Sequence, residues 1–137
     1  MSDVAAVVLS TGESTVARAL ASVQSQSLVA REIINVRNVT PFHRALNEGA
    51  ERVSSPFFVQ VDADMVLDED CFAELRAAVS ADTGLVVGEL RDPIMGQVVG
   101  VKLFRTVCFA RGSFPDSISP DTDFRASIQR KGWKTAF

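Results

Sequence analysis

An apolar run that ends in two carboxylates constrains the fold of this chain more than any other feature. Residues Phe57–Val61 are rich in β-branched and aromatic types and show no helical period. This pattern is typical of a central strand of a parallel sheet that is covered on both faces. Asp62 and Asp64 follow directly. Because open α/β sheets bind ligands beyond the carboxyl ends of their strands, we expect both carboxylates in a ligand crevice.

The chemistry of this pair indicates a divalent metal. Asp62 and Asp64 lie two positions apart, and on a chain that leaves its strand both can turn toward one point. Carboxylates are hard oxygen ligands of the kind that Mg²⁺ or Mn²⁺ prefers, with phosphate oxygens and water completing the shell. A solvated turn between strand and loop is the competing interpretation, and the apolar run before the pair makes it less favoured.

Length and composition predict one ordinary globular domain over residues 1–137. Hydrophobic residues make up 47% of the chain and charged residues 23%, which argues against disorder. A net charge of −3 without any basic run makes nucleic acid an unexpected partner. Cys71 and Cys108 are expected to be buried free thiols in a reducing compartment. Without a membrane-length apolar run or a basic leader, we expect a cytoplasmic protein with no membrane span.

Strand patterns alternate with helix patterns along the chain. The predicted strands are Val4–Leu9, Glu32–Val36, Phe57–Val61, Gly84–Leu90, one or two strands within Val98–Phe109 that are interrupted at Lys102 and Arg105, and Trp133–Phe137. Four helices are predicted. Ser14 caps the first, and Thr40 and Pro41 are the cap and first position of the second. The acids Asp68–Asp70 form the first turn of the third, and Asp121–Asp123 precede the fourth. The alternation predicts an α/β layered sheet that is mostly parallel and becomes mixed after the fourth strand.

Several stretches together resemble the nucleotide-sugar-binding domain of family 2 glycosyltransferases. They are Ala5–Glu13 leading into a helix, Ala45–Gly49 followed by Phe57–Asp64, and Asp121–Phe124 ahead of Gly132-Trp133. The resemblance covers nearly the whole chain. It implies the GT-A fold, a Rossmann-like sandwich of the nucleotide-diphospho-sugar transferases, in a compact or truncated form. It also implies inverting transfer of a sugar from a UDP-sugar donor to an acceptor hydroxyl that the sequence does not identify.

The resemblance also implies a role for each site residue. The nucleotide-binding residues are Ser10, Thr11, Gly12, Glu13, Arg37, Arg44, Asn47, Asp62 and Ala63. Asp62 falls on the ribose side, and Asp64, with Asp62, is matched to Mn²⁺ or Mg²⁺. The general base is an acidic residue before the late helix. Since Pro120 stands where the family has glutamate, this role is divided between Asp121 and Asp123.

Two other function classes stay open at this stage. A haloacid-dehalogenase-like phosphohydrolase would use Asp62 as its nucleophile and Asp64 as acid and base. A non-catalytic module would bind UDP or a nucleotide sugar through the same pocket without a working base. A sugar-nucleotide pyrophosphorylase is disfavoured, because Ser10–Ser14 has one glycine where a glycine-rich phosphate loop is needed.

Overall fold

The computed structural model describes residues 2–92, 96–109 and 120–137, with the backbone alone for 90–92, 96–99 and 120–123. Strands and helices alternate through the first two thirds of the chain. In chain order the elements are β1 (Val4–Ser10), α1 (Val16–Gln24), β2 (Ile33–Arg37), α2 (Phe42–Arg52), β3 (Phe57–Asp62), α3 (Cys71–Ala77), β4 (Thr83–Asp92), β5 (Gly96–Arg105), a 3₁₀ turn (Thr106–Phe109), α4 (Pro120–Arg130) and β6 (Lys134–Ala136).

One six-stranded sheet contains all of these strands, in the order β2-β1-β3-β5-β4-β6. Strand β1 pairs in parallel with both β2 and β3, and β4 pairs in parallel with β6. Strand β5 is antiparallel to both of its neighbours, β3 and β4. The sheet is therefore mostly parallel with one reversed strand, which confirms the predicted fold class.

The two faces of the sheet carry different cores. The face under α2 and α4 holds an aromatic cluster, in which the Phe58 ring stacks on Phe104 at 5.3 Å and Phe109 lies 4.6 Å from Phe124. The face under α1 and α3 is mainly aliphatic, with Val8, Val59 and Val61 packed around the helix residue Phe72. Since β3 contributes to both cores, its prediction as a strand covered on both faces is confirmed.

Helix α2 lies unusually close to the sheet because of Gly49. A Cβ placed on Gly49 would lie 2.5 Å from Cγ1 of Val7 and 3.2 Å from Cγ2 of Val36. Any larger residue would therefore push the helix away from β1 and β2. This contact sets how closely α2 packs against β1 and β2.

Helix starts differ from the sequence prediction by one to three residues. Thr15, not Ser14, precedes α1. Pro41 precedes α2 with an extended backbone, and its carbonyl accepts hydrogen bonds from the Arg44 and Ala45 amides at 3.0 and 3.3 Å. The acids Asp68–Asp70 precede α3 instead of forming its first turn. In these three helices the predicted polar residues lie at the start, but the backbone begins its helical hydrogen bonds later. The fourth helix differs the other way: α4 begins at Pro120 and includes Asp121–Asp123, which are predicted to precede it.

The segment Val98–Phe109 follows its prediction in part. Strand β5 ends at Arg105, as predicted, but it continues through Lys102 without a break, and a 3₁₀ turn instead of a second strand follows from Thr106 to Phe109. The turn is held by Thr106, whose amide donates to the Pro56 carbonyl at 2.9 Å and whose hydroxyl donates to the Ser55 carbonyl at 2.8 Å. These bonds tie the turn to the two residues that precede β3. The predicted loop at 111–116 lies outside the described residues.

The cysteines are free, as predicted. Cys108 is buried and Cys71 is half-buried, and burial raises the pKa of each thiol to about 11. Within the described ranges, no helix combines the length and apolar composition needed to cross a bilayer.

Candidate functional site

Three parallel strands bring predicted site residues to one edge of the sheet. Ser10, the last residue of β1, is in register with Arg37, the last residue of β2. On the other side of β1, Leu9 is in register with Asp62, which ends β3. The Asn38 amide, just beyond β2, donates to the Ser10 carbonyl at 2.8 Å and ties the first two strand ends together. The carboxyl edge predicted from the sequence therefore exists, with Ser10, Arg37 and Asp62 side by side.

A tight turn presents the two carboxylates. The Met65 amide donates to the Asp62 carbonyl at 3.0 Å, and the Asp62 amide contacts Sδ of Met65 at 3.4 Å. Ala63 and Met65 are buried beneath the turn, Asp62 is half-buried and Asp64 is exposed. The buried residues therefore anchor the turn and leave Asp64 facing solvent at the end of β3.

A buried glutamine supports Asp62. Gln60 is only 2% exposed, and its Nε2 donates to Oδ1 of Asp62 at 3.1 Å. In the sequence, Gln60 lies within the apolar run Phe57–Val61 and is not among the predicted site residues. The available signal was the two-residue period of a strand, which places Phe58, Gln60 and Asp62 on one face of β3.

The loop after β1 carries the next group of predicted residues. Gly12 has a φ of +90°, a backbone conformation that favours glycine. The Thr11 amide donates to Oε1 of Glu13 at 2.6 Å, and the Thr11 hydroxyl donates to the same oxygen. These hydrogen bonds hold the pKa of Glu13 below its ordinary value, and the bond from the hydroxyl makes the larger contribution. The loop is thus closed on itself around an ionised carboxylate.

Helix α2 begins at the same edge. Arg44 is exposed in its first turn, and Asn47 is half-buried one turn later. Asp121 and Asp123, predicted as alternative general bases, lie in the first turn of α4 by their backbone, and their side chains are outside the described residues. Their assignment stays a prediction.

The donor set at this edge fits a hard divalent cation. Asp62 begins one short turn and Asp64 lies within it, so two carboxylates close together in the chain can offer oxygen ligands. In the part of the chain that the structure describes, no group of three or more His, Cys, Asp or Glu residues could hold a metal alone. A metal here would therefore need further ligands from a substrate or from water.

Comparisons with known proteins identify the fold. No family model and no curated protein sequence matches the chain. Among solved structures, a mannosyltransferase from Pyrobaculum calidifontis in complex with GDP-Man and Mn²⁺ is similar over 98% of this chain and 54% of its own, with a TM-score of 0.78 and 15% identity. The chain has a GT-A-like fold. It spans about half the length of that mannosyltransferase, 54%.

Nucleotidyltransferases share the same fold. A 4-diphosphocytidyl-2C-methyl-D-erythritol synthase from Anaerococcus prevotii matches over 97% of this chain and 85% of its own, with a TM-score of 0.69 and 10% identity. A CMP:2-keto-3-deoxy-manno-octonic acid synthetase complexed with CTP matches over 98% and 88%, with a TM-score of 0.61 and 12% identity. The fold of this chain is therefore one that serves both sugar transfer and nucleotidyl transfer, and the choice between them must come from the site.

Proposed function

We propose that the chain binds a nucleoside diphosphate sugar with Mn²⁺ or Mg²⁺ and transfers the sugar to an acceptor hydroxyl with inversion. The observation that carries this proposal is the Asp62–Met65 turn, which presents two carboxylates at the carboxyl edge of a GT-A-like sheet. Asp64, with Asp62, would hold the metal, which when bound offsets charge on the departing diphosphate. Ser10, Arg37 and Ala63 border the same edge and are proposed to contact the nucleotide.

The remaining nucleotide contacts come from the loop after β1 and from α2. Thr11, Gly12 and Glu13 are proposed to line the base, and Arg44 and Asn47 the nucleoside and phosphates. UDP is the nucleotide proposed for this pocket. GDP is the second candidate, because the mannosyltransferase of the same fold was solved with GDP-Man and Mn²⁺.

The loop after β1 favours a glycosyltransferase over a nucleotidyltransferase. A nucleotidyltransferase must hold a triphosphate, and phosphates are commonly held by free backbone amides of a glycine-rich loop. Here the Thr11 amide and hydroxyl are already occupied by the Glu13 carboxylate. A triphosphate at this loop would meet a negative charge instead of free donors. Transfer of a sugar from a diphosphate donor is therefore the better-supported reaction.

The proposed reaction is a single in-line displacement. The acceptor oxygen attacks the anomeric carbon, the bond from that carbon to the diphosphate breaks, and a carboxylate takes the hydroxyl proton. Asp121, or else Asp123, is proposed as this base. We predict that Asp121→Asn leaves UDP binding intact and lowers transfer at least 100-fold, the usual scale for loss of a general base. Unchanged transfer in Asp121→Asn would move the role to Asp123.

Two alternatives make different predictions. A non-catalytic module would bind the nucleotide and show no turnover with any sugar donor. A haloacid-dehalogenase-like phosphohydrolase would release phosphate from a generic phosphoester, but the GT-A-like fold removes the support that the sequence pattern gave it. The cytoplasmic location expected from the sequence stays a prediction.

A calorimetric titration tests the proposal. UDP, GDP and CTP are titrated into the protein with and without Mn²⁺, and we expect Mn²⁺-dependent binding of UDP or GDP with weaker binding of CTP. Asp64→Ala should remove the metal dependence. Asp68→Ala is the matched control, because Asp68 is an exposed carboxylate shortly after the turn. Failure of both diphosphates to bind, or equal loss in the two variants, would contradict the proposal.

A further inference from the structure

Gln60 is a buried polar residue on the sheet face beneath the candidate site. In the described part of the chain, it is the only such residue whose side chain points along β3 toward a predicted ligand residue, Asp62. It is 2% exposed and is in register with Val7 on β1 and Lys102 on β5. Its one hydrogen bond runs from Nε2 to Oδ1 of Asp62, at 3.1 Å. The amide thus connects the core of the sheet to the carboxyl edge.

The chemistry of the pair fixes the orientation of the amide. An ionised carboxylate accepts hydrogen bonds and donates none, so the NH₂ group of Gln60 must face Asp62. Its Oε1 then points away from Asp62. That oxygen is buried and has no hydrogen-bond partner in the described part of the chain.

An unpartnered buried acceptor weakens a fold, so stability does not explain the amide. The buried glutamine elsewhere in the chain, Gln26, uses both ends of its amide: Nε2 donates to the Ser22 and Asp68 carbonyls, and Oε1 accepts from the Phe72 amide. A methionine at position 60 would fill similar space with no polar atom left unpaired. What methionine could not do is hold the Asp62 carboxylate.

We propose that Gln60 is a positioning residue, which holds the Asp62 carboxylate in the orientation that binds the metal and nucleotide. The inference rests on the proposed function for the identity of the ligand. Gln60 donates to Oδ1 of Asp62 from a fixed position in the core. This hydrogen bond sets the orientation of the whole carboxylate group, including its other oxygen. Gln60 touches no reacting atom and acts through Asp62.

The test uses Gln60→Met and two measurements on the full chain. Urea unfolding reports stability, and calorimetry reports the affinity for UDP, and for GDP, in the presence of Mn²⁺. We expect Gln60→Met to be at least as stable as the wild type and to bind the nucleotide at least tenfold more weakly. A purely structural glutamine predicts the reverse, namely lower stability with unchanged affinity, and that result would overturn the inference.

A double-mutant comparison tests whether Gln60 acts through Asp62. With millimolar UDP and Mn²⁺, Asp62→Ala and Asp62→Ala/Gln60→Met should bind equally, because the group that Gln60 positions is already gone. A further tenfold loss in the double variant would show an independent action and overturn the inference. Gln26→Met is the matched control, since it makes the same substitution at a buried glutamine far along the chain from Asp62, and it should keep the wild-type affinity.

Titration of Mn²⁺ alone separates this inference from the proposed function. Free Mn²⁺ is followed by electron paramagnetic resonance as protein is added. If the wild type binds Mn²⁺ but neither nucleotide, the proposed function fails, and a weaker Mn²⁺ affinity in Gln60→Met still supports the positioning role. Equal Mn²⁺ affinity in the two proteins, or a wild type that takes up neither Mn²⁺ nor either nucleotide, would overturn it.

Discussion

Two buried glutamines in different regions of the molecule differ in how completely their side-chain amides are hydrogen-bonded. Gln26 is 4% exposed and joins the end of α1 to the start of α3 through three hydrogen bonds. Next to it, the Ser27 amide donates to the Glu69 carbonyl at 2.7 Å. Gln60 is equally buried, yet only its Nε2 has a partner in the described chain. One region completes its hydrogen bonds internally, and the other does not.

The difference separates a residue that builds the fold from one that serves a site. A buried amide with every partner present rigidifies the structure and favours one native state. A buried amide with an unpaired oxygen lowers stability, so its presence calls for another explanation. Gln26 lies between two helices, whereas Gln60 lies two residues before the carboxylates of the candidate site. Location and hydrogen bonding therefore indicate the same division of roles.

The largest effect on stability is expected at Gln26. Gln26→Met removes three hydrogen bonds and leaves the Phe72 amide, which is near the start of α3, without its partner. By the usual cost of an unsatisfied buried donor, with the lost bonds added, we expect the free energy of unfolding to fall by about 3 kcal/mol. Equilibrium urea unfolding measures the change.

Its control lies in the same segment. Ser25→Ala removes an exposed hydroxyl that donates to the Ala21 carbonyl, and it should change the unfolding free energy by less than about 0.5 kcal/mol. If Gln26→Met were as stable as the wild type, complete hydrogen bonding would not distinguish the role of Gln26 from that of Gln60.

Sequence patterns predicted the order of strands and helices because each depends on local periodicity. Val4–Leu9 and Phe57–Val61 are apolar runs of strand length, and Phe42, Leu46 and Ala50 repeat at helical spacing. The position of Asp62 and Asp64 at the carboxyl edge followed from the strand that precedes them. These features needed no knowledge of distant contacts.

What the sequence could not show depends on groups far apart in the chain. Strand β5 lies between β3 and β4, because Gln60 pairs with Lys102 and Val87 pairs with the same lysine. No local pattern sets that order. Likewise, Gln26 and Gln60 look alike in a sequence, and only the partners that folding brings to each amide, 42 and 46 residues away for Gln26, reveal their different roles.

A smaller effect is expected at the amino end of the sheet, where Arg76 and Asp3 also complete their hydrogen bonds with each other. Arg76 donates to both oxygens of Asp3 at 3.0 Å, and its guanidinium lies 4.5 Å from the Phe57 ring centre. The Arg76 hydrogen bond holds the pKa of Asp3 below its ordinary value. Since the side chains are 36% and 40% exposed, we expect Asp3→Asn to lower the unfolding free energy by less than about 1 kcal/mol at pH 7.

The pH dependence gives this prediction its sign. A carboxyl group whose pKa is lowered by folding contributes stability above its ordinary pKa, and the contribution is lost as the pH falls through the lower folded value. The difference between Asp3→Asn and the wild type should therefore shrink below the ordinary value of 3.8. Asp82→Asn, which breaks a more exposed pair with Lys134, is the control and should have a smaller effect. A difference that grows in acid would contradict the assignment.

The smallest effect is expected in the loop after β1. This loop belongs to the candidate site, yet it completes hydrogen bonds of its own. The Thr11 hydroxyl is the main cause of the lowered pKa of Glu13. Thr11→Ala should raise that pKa toward its ordinary value of 4.5 without reaching it, since the amide hydrogen bond stays. Thr11→Ser, which keeps a hydroxyl, should not. A side-chain carboxyl titration by NMR measures both.

The same variant also tests why the loop disfavours a triphosphate. Glu13 is half-buried and its hydrogen bonds stay within the loop, so its titration should alter mainly the loop and contribute little to global stability. If the Glu13 carboxylate blocks the Thr11 amide, loosening it by Thr11→Ala should raise the affinity for CTP relative to UDP, and Thr11→Ser should not. An unchanged ratio would mean that the Glu13 hydrogen bonds do not select between the two nucleotides. The preference for sugar transfer would then rest on the Asp62–Met65 turn alone.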